Sequence, residues 1–101
     1  MSRREEDDLY VGYWGEVFRL HLKKAKPELY EKFRQNGYLK EYLEIYQAAY
    51  TERAHILLDR YSKKAGLNDD VFRNELFRFV AETYQIHMKI RKQLTEEIQK
   101  L

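Results

Sequence analysis

Hydrophobic and polar residues interleave along most of this chain with the period of a helix. From Leu39 to Ala65, the stretch LKEYLEIYQAAYTERAHILLDRYSKKA sets Leu39, Tyr42, Leu43, Tyr46, Tyr50, Leu57 and Tyr61 at three- and four-residue steps. Lys40, Glu41, Glu44, Gln47, Glu52 and Asp59 fall mostly between them. This pattern predicts one amphipathic helix of about 40 Å, at about 1.5 Å per residue. An aromatic stripe of that length needs a cover, and the segments on either side supply it. Upstream, Tyr10, Tyr13, Trp14, Val17, Phe18, Leu20, Leu22 and Ala25 predict a helix over 9–26, with Gly12 and Gly15 weakening its first turns. Pro27 then favours a fresh helical start, and Asn36-Gly37 ends the short second helix. Downstream, Gly66 closes the central helix and Asn68 or Asp69 caps a last one. Phe72, Leu76, Phe79, Thr83, Ile86, Ile90, Leu94, Ile98 and Leu101 form a near-heptad seam there, about 48 Å long. It outlasts the central helix, so its end either projects or packs on another copy, a homodimer through the C-terminal helix.

The expected fold is therefore all-α: two long antiparallel helices with a Pro/Gly-broken N-terminal helical segment packed across them. No alternation of period two is long enough to propose a strand. Residues 1–8, MSRREEDD, read as a disordered polar tail, and 9–101 as a single helical domain. Leu57→Ala and Leu76→Ala are each expected to cost about 2–5 kcal/mol, as buried seam positions do.

Composition narrows the chemistry more than the architecture. There are no cysteines among the 101 residues, which removes disulfides, thiolate zinc sites and cysteine nucleophiles. Nine tyrosines imply a core with polar edges or a binding surface. The net charge of +2 is too small to name a partner. No apolar run approaches the length of a membrane span, and the first residues lack the apolar core of a signal peptide, so a cytoplasmic location and no membrane contact are expected.

The pattern Trp14-Gly15, Leu22-Lys23, Pro27, Leu29-Tyr30, Gly37, Leu39 and Tyr42-Leu43, followed by Glu52-Arg53, resembles the TnpV family of transposon-encoded proteins. The likeness covers roughly residues 13–67. This chain departs from the family pattern at Arg34 and Gln35, where the family tends to be apolar, and at Gln47, where it tends to carry an acid. The resemblance implies residence on a mobile element and a helical fold; it assigns no site.

Catalytic sets are not apparent. Glu52 and His55 have the Glu-x-x-His spacing of di-iron bundles, but no second copy of the motif accompanies them. Ser2 and Ser62 lie in no nucleophile elbow, and there is no phosphate-binding glycine loop. No enzyme activity, cofactor or metal is expected. Basic residues are more suggestive: between 19 and 40 there are seven, Arg19, Lys23, Lys24, Lys26, Lys32, Arg34 and Lys40, against Glu28 and Glu31. Arg60, Lys63 and Lys64 form a second cluster, and Lys89, Arg91 and Lys92 a third. In the tyrosine row Tyr38, Tyr42, Tyr46 and Tyr50, each step drifts about 40° around a helix, so some members are expected at an edge. The candidate partner-binding residues are thus Arg19, Lys23, Lys24, Lys26, Tyr38, Tyr42, Tyr46, Arg60, Lys63 and Lys64. Two functions fit them. One is a non-catalytic accessory protein that binds another protein and modulates a nucleic-acid-processing enzyme of host or element. The alternative is direct nucleic-acid binding through the basic 19–40 segment.

Overall fold

The structure, a computed structural model, describes residues 8–101. The tail expected over 1–8 lies outside the described residues except for Asp8, which is exposed. Five helices and no strand are found among the described residues: α1 (Tyr13–Ala25), α2 (Pro27–Asn36), α3 (Leu39–Lys64), α4 (Asp69–Asn74) and α5 (Leu76–Gln99). The all-helical expectation holds.

Each boundary has a local cause. Pro27 lacks an N–H and excludes helical angles at the residue before it. Lys26 accordingly adopts φ −137° and ψ 64°, dividing α1 from α2. Gly37 and Gly66, both left-handed, end α2 and α3. Beyond each, an amide reaches back to a carbonyl of the last turn: Tyr38 N–H to Phe33 at 3.1 Å, Leu67 N–H to Ser62 at 2.9 Å. The Asn68 side chain then accepts from the Val71 amide at 3.0 Å, capping α4.

The body is built on one face of α3. Leu39, Leu43 and Leu57 are buried along it, with Tyr42, Tyr46, Tyr50 and Tyr61 packed at the margins. Its N-terminal half is covered by α1, where Trp14 meets Tyr50 and Phe18 stacks on Tyr46 with ring centroids 3.7 Å apart. Its C-terminal half is covered by the second half of α5, which buries Ile90, Leu94 and Ile98. Arg53 pairs with Glu97 at 2.8 Å, and the Tyr61 hydroxyl donates to Gln93 at 2.9 Å. Partners descend along α5 as they ascend along α3, so the two helices run in opposite directions where they touch. Behind them, α2 closes the corner through Tyr30 and Phe33.

Two expectations need correction. The last helix is not continuous: at Glu75 the backbone turns to φ −135° and ψ 55°, separating α4 from α5. The break folds Phe72 edge-on against Phe79, at 5.2 Å between centroids. The seam is also covered over only part of its length. Leu76 is 50% exposed and Phe72 52%, because α3 ends before reaching them. The part that projects, the arm, is therefore the N-terminal half of α5 with α4. It accounts for extents of 54 × 26 × 17 Å and a radius of gyration of 17.1 Å, against about 13 Å for a compact chain of about 100 residues.

Helix α1 approaches α3 closely at one joint. The Gly15 amide, one of the first-turn donors that α1 cannot satisfy itself, donates to the Gln47 side chain of α3 at 2.9 Å. Gln47 in turn donates to Thr51 at 2.9 Å. A β-carbon on Gly15 would meet the Val11 side chain and come within 3.3 Å of the Leu43 carbonyl oxygen. Gly12, at φ +144°, begins the helix in a conformation that other residues rarely adopt, with Gln47 against it. Gly15, read from the sequence as a weak point, is thus the contact residue.

Chemical denaturation tests this arrangement. Leu57→Ala and Leu94→Ala should each cost about 2–5 kcal/mol, and Gly15→Ala about 1–3 kcal/mol through the displaced contact. Leu76→Ala, on the bare part of the seam, should cost the isolated monomer less than about 1 kcal/mol. A large loss at Leu76 would mean that the arm is packed.

Candidate functional site

The ten residues singled out from the sequence do not form one surface. Arg19 is buried, 6% exposed. Its guanidinium forms a bidentate pair with Glu16 one turn away and donates to the Tyr30 hydroxyl at 3.3 Å. The bond to Glu16, and after it that to Tyr30, raises the guanidinium pKa above its already high value despite the burial. Arg19 fastens α2 to α1 and faces no solvent, so it leaves the basic surface that the sequence predicts. Lys23 lies over the Tyr30 ring, 5.9 Å from its centre. Lys24 is exposed beside Leu20 and His21, in an open groove between α1 and α5 closed at its far side by Thr95 and Gln99. Lys26 is exposed at the α1–α2 break, near Leu29 and Tyr42.

The tyrosine row divides as its drift requires. Tyr38 is 59% exposed. Tyr42 and Tyr46 turn inward and join a ladder of rings: Phe33 stacks on Tyr42 at 4.6 Å, Tyr42 lies 5.2 Å from Tyr46, and Tyr46 stacks on Tyr50 at 6.2 Å. Both are half-buried and serve the core more than any edge. Burial, helped by the neighbouring Tyr42 and Tyr50, pushes the Tyr46 phenol up to about 12. Tyr50 is raised as well, by burial first and then by Glu97.

At the other end of α3, Arg60, Lys63 and Lys64 are exposed, with Lys63 paired to Asp59 at 3.0 Å. Here two of the three basic clusters do meet. Lys64 from α3 and Lys89 from α5 line one groove with Tyr61, Ala65 and Ile86, and the Lys89 ammonium lies 4.7 Å from the centre of the Tyr61 ring. Arg91 turns away, its guanidinium 4.7 Å over Tyr13. The cluster at Lys23–Lys26 remains separate: from Tyr42, beside Lys26, to Lys64 the axis of α3 spans about 33 Å. Glu52 and His55 are exposed on α3, and among the described residues no three His, Asp or Glu side chains gather as metal ligands do.

The largest candidate surface lies on the arm. Phe77 is 93% exposed, Tyr84 65%, Val80 57% and Met88 49%, continuous with Leu76 and Phe72. These residues fall beside the near-heptad seam at steps of three and four (77, 80, 84 and 88), a second apolar stripe that a helical projection of the sequence contains. It goes unnoticed when only the dominant seam is traced. Along its outer part the charges are withdrawn to the opposite side of α5, where Arg78 bonds Glu82 at 3.2 Å and Glu75 at 3.3 Å; Arg91 and Lys92 adjoin Met88 at its inner end. No helix among the described residues is long and apolar enough to cross a membrane.

A family model described as transposon-encoded protein TnpV matches residues 1–99. The likeness carried by residues 13–67 thus extends over all five helices. No curated protein and no solved structure matches the chain.

The tyrosine ladder gives a pH signature. A phenol that holds its proton more tightly in the folded chain than in the unfolded one contributes no pH dependence below about pH 10; above it the unfolded chain ionises first, and stability falls as pH climbs towards 12. Thermal melts followed by circular dichroism should show this alkaline decline, and Tyr46→Phe should flatten it while keeping the stacked ring. An unchanged slope in that variant would place the titrating group elsewhere.

Proposed function

The chain belongs to the TnpV family of transposon-encoded proteins, and from that premise we propose that it is a non-catalytic accessory protein of a mobile genetic element that acts by binding another protein. The partner fits best as a nucleic-acid-processing enzyme of the element or its host, whose activity the bound protein modulates. The bare apolar face of the arm carries this reading. A projecting arm with a phenylalanine almost fully exposed just past the α4–α5 break costs solvation free energy with no return inside the monomer. Aromatic anchors of this kind are what protein interfaces bury at their cores. The exposed lysines at the C-terminal end of α3, with Lys89, lie at the base of the arm and supply a basic edge, suited to a partner that itself handles acidic polymers.

Direct binding of nucleic acid is the second reading, supported by the groove in which Lys64 and Lys89 meet beside Tyr61, with Arg60 nearby. Basic side chains from two helices around an aromatic ring suit a phosphate backbone with a stacked base. Arg19 drops out of this reading, and Lys23, Lys24 and Lys26 form a separate patch.

Two experiments separate the readings. Affinity capture with the full chain, from cells carrying the element, should recover a nucleic-acid-handling protein. Phe77→Asp should reduce its recovery by at least about tenfold, whereas Arg78→Ala on the far side leaves it unchanged. Recovery that ignores Phe77 would count against the arm as the docking face. For nucleic acid, fluorescence anisotropy at low salt should detect binding that weakens steeply with salt. Combined Lys64→Glu and Lys89→Glu should reduce it by about a hundredfold. Absence of binding at the lowest salt ends the second reading.

A further inference from the structure

The arm carries more apolar surface than a free monomer keeps in water. Leu76, Val80, Tyr84 and Met88 make an i, i+4 ridge along α5, with Phe77 beside it and Phe72 at its foot. At about 200 Å² for a fully exposed large side chain, their combined exposure leaves roughly 700 Å² of apolar surface. The largest patches on monomeric proteins reach only about 300–600 Å², whereas a stable interface takes about 800 Å² from each partner. One copy of this face laid on another therefore comes close to a full interface.

The distribution of charge favours a copy of the same chain. A twofold contact sets residues near the axis against their own kind, so a charge there repels itself. On this half of α5 the charged residues Glu75, Arg78 and Glu82 lie about 140–160° around the helix from Val80, at about 100° per residue, and are bonded to each other. From Leu76 to Met88 no Asp, Glu, Lys or Arg shares the ridge side; His87 and Arg91 do fall in line with it at the inner end, where the Arg91 guanidinium is drawn 4.7 Å over the Tyr13 ring. The even four-residue spacing of this ridge also matches the ridges by which helices pack on one another, so a second copy can cross it without losing register. A lipid surface suits it less well, since interfacial helices carry a basic rim along their length, whereas here Lys89, Arg91 and Lys92 lie at one end only and two acids flank Arg78.

We propose that, free of its target, the protein covers this face with a second copy of itself: a twofold dimer in which the two α5 helices cross near Val80, ridge against ridge. The inference rests on the reading of the arm as a protein-docking face and adds its regulation, since the target then has to displace the second copy.

The absence of cysteine makes the test direct. Sedimentation and light scattering of the full chain should give twice the 12.4 kDa chain mass at micromolar concentration. Phe77→Asp and, independently, Tyr84→Asp should each weaken dimerisation by at least about tenfold with the helical spectrum intact. Oxidation should cross-link Val80→Cys into a covalent dimer and leave Arg78→Cys, on the far side, monomeric. The proposal is overturned by a wild-type chain that stays monomeric up to about 200 µM, by a dimer that survives both aspartates, or by equal cross-linking at 78 and 80. Adsorption of a monomeric chain to anionic vesicles would likewise overturn it, assigning the face to lipid. A monomeric chain that still captures a target in a Phe77-dependent way would remove the dimer and leave the docking face standing.

Discussion

Exclusion of water from one face of α3 is the constraint on which everything else in this protein depends. The face is longer than any single helix that packs on it, so two different elements share it. Helix α1 takes the aromatic half, and the end of α5 takes the aliphatic half. Because the chain must double back to bring α5 into place, and α5 is nearly as long as α3, only its second half finds cover. The bare arm is the geometric remainder of that arrangement. An exposed apolar surface thus follows from ordinary helix packing.

The joint between α1 and α3 shows how a local weakness becomes a specific contact. Glycine is a poor helix former, and two of them open α1. Their small size lets Gln47 reach the Gly15 amide, a first-turn donor that no residue within α1 satisfies. The amide of Gln47 makes this bond at the positive end of the helix with a neutral oxygen. Arg19 is a second instance. A cation counted from the sequence as surface charge is a buried tie between α1 and α2, because Glu16 stands one turn before it and Tyr30 comes across the Pro27 break.

Much of the fold was legible in the chain. Leu39, Leu43 and Leu57 mark the buried face of α3 by spacing alone, and Pro27, Gly37 and Gly66 mark the breaks by backbone chemistry. The interruption at Glu75 was not legible, since no glycine or proline announces it and Asn74, the one residue there with a capping preference, sits inside an otherwise unbroken seam. The site was harder to read, for a physical reason. Periodicity reports which residues are apolar, and burial depends on what else is long enough to reach them. Leu76 and Leu94 occupy the same seam, yet one is half in water and the other fully enclosed. Lys64 and Lys89 lie 25 positions apart in sequence, and only the antiparallel pairing of their helices makes them neighbours.

The interruption at Glu75 also separates two kinds of variation. Backbone angles there already depart from helical values, so the orientation of α4 is not transmitted through a continuous hydrogen-bonded rod. A residue gained or lost between Leu67 and Asn74 would break the Asn68 cap and dislodge the buried Leu67 and Val71. The helical ladder that sets Ile90, Leu94 and Ile98 against the body nevertheless starts beyond the pivot and would keep its register.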